Sequence, residues 1–310
     1  MKLLRTTALA ADVVALMTLV LGSWTRINGA GLTCPDWPLC RGRLIPSLTD
    51  GTLWEWAHRL LAFSVAPLLV ALIVVGWTQR HRSPLIGPLL GFIVALFFLQ
   101  VFLGAETVRL ANSPTSVVAH WATAMALIAA LSATVAVAGA GDAGDALRRR
   151  PTEGFNVPTV VLGATAALAF VTMCIGAYVS SSGAGLACLS IPGCAGNVVV
   201  YTSGQLVQMV HRAAAAVTLV AAATALAVSW TYPCARRVRL AAGLGVALVS
   251  VQIVLGLLNV TLHLPTQLRE AHAFNAALVF LVFFLAALFA ALDAFVPAGK
   301  QPAAESGLGL

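Results

Sequence analysis

Apolar residues fill most of this chain, and the few polar ones gather in short bands. Between the bands lie eight apolar runs, at about 8–24, 53–77, 85–105, 116–139, 158–178, 204–230, 240–260 and 268–292. Each is near the roughly 17–25 residues that a helix needs to cross the hydrocarbon core. Backbone groups in lipid must be satisfied within their own segment, so the runs predict helices. The expected fold is an all-α integral membrane protein with eight transmembrane helices. The first run, Ala8 to Trp24, reads as a retained span, because no small-residue cleavage site follows it. Composition agrees: 60% of residues are hydrophobic and 9% charged, where a soluble domain has about 25% charged residues.

Charge adds an orientation. Lys2, Arg5, Arg80, Arg82, Arg148, Arg149, Arg150, Arg236, Arg237, Arg239 and Lys300 flank the runs on one side. Fewer lie on the other: Arg26, Arg41, Arg43, Arg59, Arg109, Arg212 and Arg269. The richer side is expected to be cytoplasmic, which puts both termini in the cytoplasm of a multi-pass cell-membrane protein. Trp24, Trp54, Trp56 and Trp121 then fall at the outer interface, with Trp77 and Trp230 at the inner one. These anchors largely account for the net charge of +7, which requires no nucleic-acid partner.

A repeat runs through the pattern. "GAGLTCPDWPLC" from Gly29 returns as "GAGLACLSIPGC" from Gly183, His58-Arg59 as His211-Arg212, and "QVFLGAETV" from Gln100 as "QIVLGLLNV" from Gln252. Gln100 precedes His120, and Gln252 precedes His272, by the same 20 residues. A near-constant offset over all markers implies duplication of a four-helix unit, hence two tandem parallel four-helix bundles. The expected halves are 1–140 and 158–310, the second ending in a short cytoplasmic tail, with a polar cytoplasmic linker over 141–157.

Both glycine-rich phrases fall in long outer loops, in an oxidising compartment. Cys34–Cys40 and Cys188–Cys194 are therefore candidate structural disulfides, with a redox relay as the alternative. Neither pair is CxxC, and there is no CxxCH for covalent haem. Cys174 falls within a span and Cys234 on the cytoplasmic side, and both are expected to be free.

His58, His120, His211 and His272 each lie about five residues inside the outer end of an even-numbered run. Ionisable groups within a span are costly and point to function. Four at one depth, two per half, point to bis-histidine haem between bundle helices, against hydrogen-bonded helix contacts as the plainer reading. Zinc would need further ligands beside each pair. His81 and His263 read as loop residues. Arg59 and Arg212 are candidates for the haem propionates, with Arg109 and Arg269 behind them; snorkelling is the alternative. Glu55 lies one turn before His58, where the other half has Gln208. The proton chemistry of a carboxyl places catalysis in the first half, unless Glu55 merely meets water or an arginine.

Together, "GLTCPDWPLCRGRLIPS" before "WEWAHR", "LGAETV" leading to His120, and their weaker second copies resemble the haem A synthase family over essentially all eight runs. The resemblance implies a membrane oxidoreductase. It would oxidise the C8 methyl of haem O to a formyl group by successive hydroxylations and loss of water, giving haem A for terminal oxidases. It further implies that His58 and His120 frame the haem O substrate in the first half. His211 and His272 would hold haem B in the second, both sites lying toward the outer side. Glu55 would be the acidic residue at the reacting edge, and the two cysteine pairs match the family's outer-loop disulfides. Expected partners are the lipid bilayer, a haem O synthase or other haem-handover protein, an electron donor or acceptor, and a further copy of the chain. Two other functions compete: a di-haem b-type, quinol-linked electron-transfer protein, and a haem-free transporter or assembly factor.

Overall fold

The computed structural model describes residues 1–140, 156–194, 196 and 200–294. Almost all of the expected linker and the tail beyond 294 lie outside them. Eight helices follow in order: α1 (Lys2–Ile27), α2 (Thr52–Gln79), α3 (Ile86–Arg109), α4 (Pro114–Gly139), α5 (Val157–Ser181), α6 (Ser203–Thr231), α7 (Arg236–Thr261) and α8 (Thr266–Ala294). All eight are long and apolar enough to cross a membrane, and each covers one of the predicted runs. The helices outlast the runs by a few residues because polar, helix-competent residues extend their ends.

Local chemistry sets the ends. The Asn156 side chain accepts from Thr159 N at 3.0 Å to start α5, and Thr202 Oγ1 accepts from Gln205 N at 3.2 Å to start α6. Pro114 opens α4, where its missing N–H is not needed. At the other end, Gly29 (φ 73°) and Gly183 (φ 76°) follow α1 and α5 in the left-handed conformation that stops a helix. These are the first glycines of the two repeated phrases, so part of each phrase is a helix stop.

Helix α1 packs on α2 and α4, and α3 on α2 and α4; likewise α5 packs on α6 and α8, and α7 on α6 and α8. The two sets meet where α4 touches α5 and α8, and where α1 touches α8. Helices α4 and α8 are accordingly the most buried. The outer helices turn Val74, Phe98, Phe102, Val220 and Trp230 outward, an apolar surface suited to lipid. At the end away from the cysteine loops, Arg80 stacks over Trp77 at 4.3 Å and Arg239 over Trp230 at 5.1 Å.

Lipid tails are as apolar as leucine, so helices associate through close packing at small residues and a few hydrogen bonds. Ser132 Oγ donates to Asp12 Oδ2 at 2.7 Å between α4 and α1, and Asn275 Nδ2 to the Leu248 carbonyl at 2.9 Å between α8 and α7. Between α7 and α8, Gly245 lies so close to the fully buried Phe283 that a Cβ there would stand 2.5 Å from the ring. Gly245→Ala is expected to displace that ring and cost about 1–3 kcal/mol, seen as a lowered unfolding temperature in detergent. Gly243→Ala on the same helix, with open space around it, should leave the temperature within a degree or so of the parent.

Candidate functional site

The site begins with the loops. Cys34 is bonded to Cys40 and Cys188 to Cys194, with Cα–Cα distances of 4.6 Å in both, while Cys174 and Cys234 are free. In the first loop, Asp36 accepts from the amides of Gly42 at 2.7 Å and of Arg41. Those amides, Gly42's foremost, hold the Asp36 carboxyl below the ordinary aspartate range.

The start of α2 fastens this loop from below. Glu55 is 4% exposed. Its Oε2 accepts from Cys34 N at 2.9 Å and Thr33 Oγ1 at 3.0 Å, and its Oε1 from Arg59 Nη2 at 2.6 Å. Arg59 also donates to the carbonyls of Cys34, Asp36 and Leu39. The second half repeats the plan with an amide. Gln208 Oε1 accepts from Cys188 N at 2.6 Å, and its Nε2 donates to the Gly185 carbonyl at 2.9 Å. Arg212 donates to the carbonyls of Cys188, Ser190, Pro192 and Gly193. Glu55 and Gln208 thus do one structural job, holding the amide of the first half-cystine. Arg59 and Arg212, suggested by sequence as propionate partners, are engaged by loop carbonyls here.

Below the loops stand the four histidines, all half-buried and each in the second or third turn of α2, α4, α6 or α8. His120 is an electrostatic neighbour of His58, and the His211 and His272 rings lie edge to face with centroids 6.4 Å apart. Each ring rests on a glycine of the preceding helix. A Cβ on Gly22 would come within 2.6 Å of His58, on Gly176 within 2.8 Å of His211, on Gly104 within 3.2 Å of His120, and on Gly256 within 3.3 Å of His272. These contacts join the end of one helix to the start of the next, so each pair is antiparallel. The glycines recur at the repeat offset, Gly104 and Gly256 inside phrases that revealed the duplication and Gly22 and Gly176 ahead of the other two; sequence reasoning passed over them because a glycine within an apolar run carries no polar signal.

The ring nitrogens complete the geometry. His58 Nδ1 donates to the Thr18 carbonyl at 3.1 Å, which directs Nε2 to a ligand. His120, His211 and His272 likewise lie against the backbone of Gln100, Thr172 and Gln252, although their Nδ1 atoms make no hydrogen bond of good geometry. Gln100 Nε2 lies 3.4 Å from His120 Nε2, and Gln252 Nε2 donates to the His272 carbonyl at 3.0 Å. Imidazoles held in this way against the preceding helix, two per half, suit iron ligation through Nε2. Among the described residues no three His, Cys, Asp or Glu side chains converge. That pattern fits a porphyrin, which brings four of its own nitrogens, better than a bare ion needing a protein cage.

Comparison with known proteins agrees. The pattern of the family described as cytochrome oxidase assembly protein (COX15-CtaA) matches residues 5–284. A heme A synthase of Shewanella oneidensis is 28% identical over 318 residues, covering 87% of this chain and 91% of that protein. The Bacillus licheniformis heme A synthase is 26% identical, covering 92% and 95%. That of Symbiobacterium thermophilum is 31% identical, covering 86% and 90%.

The glycine seats carry a prediction. Gly22→Ala and Gly176→Ala, with the tightest contacts, should reduce haem bound per chain at least severalfold in the purified protein. Gly104→Ala and Gly256→Ala, where the ring has to yield only a few tenths of an ångström, should lose less. Equal haem content across all four variants would separate the glycines from ligand placement.

Proposed function

This chain belongs to the cytochrome oxidase assembly protein family, and from that premise we infer that it is a haem A synthase, a membrane oxidoreductase converting haem O to haem A. The observation that carries this reading is the set of four histidines seated on glycines at one depth, two per half, with a carboxyl one turn from a single member. The C8 methyl of haem O is oxidised by successive hydroxylations and loss of water to a formyl group. Bound haem supplies the redox chemistry; the chain supplies ligands, orientation and a place for protons.

In this reading His58 and His120 hold the substrate porphyrin between α2 and α4, and His211 and His272 hold haem B between α6 and α8. The residues three positions before these histidines support the division. They are Glu55, Val117, Gln208 and Arg269, so only His58 has a carboxyl three residues before it, on a similar face of the helix. Glu55 is the proton-handling group, and its bonds to Thr33, Cys34 and Arg59 tie it to the disulfide loop. Haem O, with its farnesyl tail, enters from the bilayer, supplied by a haem O synthase or handover protein. The histidine end faces outward, opposite the Arg80–Trp77 and Arg239–Trp230 pairs, which suit a cytoplasmic interface.

Three experiments test this. Protein purified after co-expression with a haem O source should yield, on acid-acetone extraction and mass spectrometry, haem B together with haem A or its hydroxylated precursor. Haem B alone would indicate an electron-transfer cytochrome, and no haem would end the haem reading. In the same system His58→Ala or His120→Ala should abolish product while leaving haem B in place; loss of haem B from either would undo the division of labour. Glu55→Gln is an especially clean variant, because Gln208 already holds the equivalent loop amide. It should retain haem and the loop but lose turnover by roughly 100-fold or more, and full activity would leave Glu55 a loop anchor only.

A further inference from the structure

Five arginines stand near the histidine end within helices; Arg109 is paired with Glu106 at 2.8 Å, and the other four differ in how their donors are used. Arg59 and Arg212 each donate to several loop acceptors. Arg26 and Arg269 do not. Among the described residues, Arg26, near the end of α1, donates only to Ser180 Oγ, at 3.0 Å, and Arg269, in the first turn of α8, only to the Ile27 carbonyl, at 3.4 Å. Both are half-buried, and each reaches across the seam between the two sets of helices.

The charges at this seam do not cancel. Arg269 and Glu270 are both electrostatic neighbours of Arg26, one repelling and one attracting. Glu270 accepts from Ser23 Oγ at 2.7 Å through Oε2, while its Oε1 is buried with no partner. Among the described residues neither arginine forms an ion pair with it. Two guanidiniums therefore face one carboxylate in a partly desolvated seam, where like charges repel more strongly than in water. Arg26 also lines an open hollow with Asn112 and Ser181. Such an arrangement is completed by an anion, and guanidiniums match carboxylates in a planar, two-pronged fashion.

Position indicates whose carboxylate. Arg269 precedes His272 by one turn on a similar face, about 4.5 Å nearer the loop end along the axis. The repeat does not duplicate the feature: Ser180 stands where Arg26 would recur, and Val117 where Arg269 would. Resting on the haem reading above, we propose that Arg26 and Arg269 form a carboxylate seat for a propionate of the haem held by His211 and His272. Helix α1 supplies one of its two cations. The first half thereby helps to hold the cofactor of the second.

The same chemistry would suit the phosphate of an anionic lipid, and the test separates the two. Haem loss from the purified holoprotein to excess apomyoglobin is followed for the parent, Arg26→Gln, Arg269→Gln and Arg269→Lys. It is then repeated after exchange of the haem for haem B dimethyl ester, which lacks free carboxylates. Each glutamine variant should release haem B roughly tenfold faster or more, with Arg269→Lys intermediate, and the ester should leave all four proteins alike. Haem B loss unchanged by both glutamine substitutions, or differences that persist with the ester, would overturn the seat. So would an effect that disappears once anionic lipid is stripped away, since the seat would then hold lipid phosphate. Matched unfolding temperatures guard against a general loss of fold, and Arg269→Lys keeps the test open if a glutamine variant is unstable. Protein that carries no haem B at all overturns the haem reading itself, whereas haem B indifferent to the substitutions overturns the seat alone.

Discussion

Helices in lipid gain little from burying apolar surface against one another, so they come together where side chains are smallest. In this protein four of those places are the glycines that receive the histidine rings. A ring can lie against the neighbouring helix only because the glycine has no Cβ. The same absence lets the two backbones close in at that level. Helix pairing and ligand placement are therefore one contact. The histidines share a depth because each sits early in its helix, opposite a glycine late in the helix before.

What lies above the histidines follows from this level. With α2 and α6 fixed, the residue one turn earlier points at the incoming loop, and in both halves it accepts from the amide of the first half-cystine. The arginine one residue after the histidine gathers the carbonyls that the small disulfide ring leaves unpaired. A buried guanidinium needs several acceptors, and a tight loop has carbonyls in excess, so each satisfies the other.

Much of this was legible in the chain. Run length alone separates the eight helices, because a stretch able to span lipid leaves few other choices of structure. The constant offset identifies the duplication, and the histidines stand out because an ionisable residue in an apolar run is costly. Two of the seating glycines, Gly104 and Gly256, were present in the repeated phrases, yet nothing in composition distinguishes a glycine under an imidazole from Gly243, which faces open space. Adjacency to histidine suggested Arg59 and Arg212 as propionate partners. Their use by the loops depends on the path of a disulfide-closed chain, which sequence spacing does not encode. The meeting of Arg26, Arg269 and Glu270 depends on the packing of α1 against α8, a contact between the two copies that no repeat can reveal.

That last point explains where the two copies diverge. Positions that serve the shared plan, the helix-stop glycines, half-cystines, histidines, arginine clasps and seating glycines, are identical in both halves. The two copies differ at many positions, and some of the differences stand one turn before the histidines and along the seam, where each copy meets something that its twin does not. Glu55 answers to Thr33 and Arg59, whereas Gln208 answers to Gly185. Arg269 reaches Ile27, while its counterpart Val117 is packed in the core. A duplicated fold can keep two equivalent histidine pairs and still surround them with unlike chemistry, because changing one polar residue on the turn outside a histidine leaves the packing beneath it intact. Asymmetry of charge at the ends of the helices, on a nearly symmetric apolar frame, is thus the least disruptive route by which two copies of one unit come to differ in chemistry.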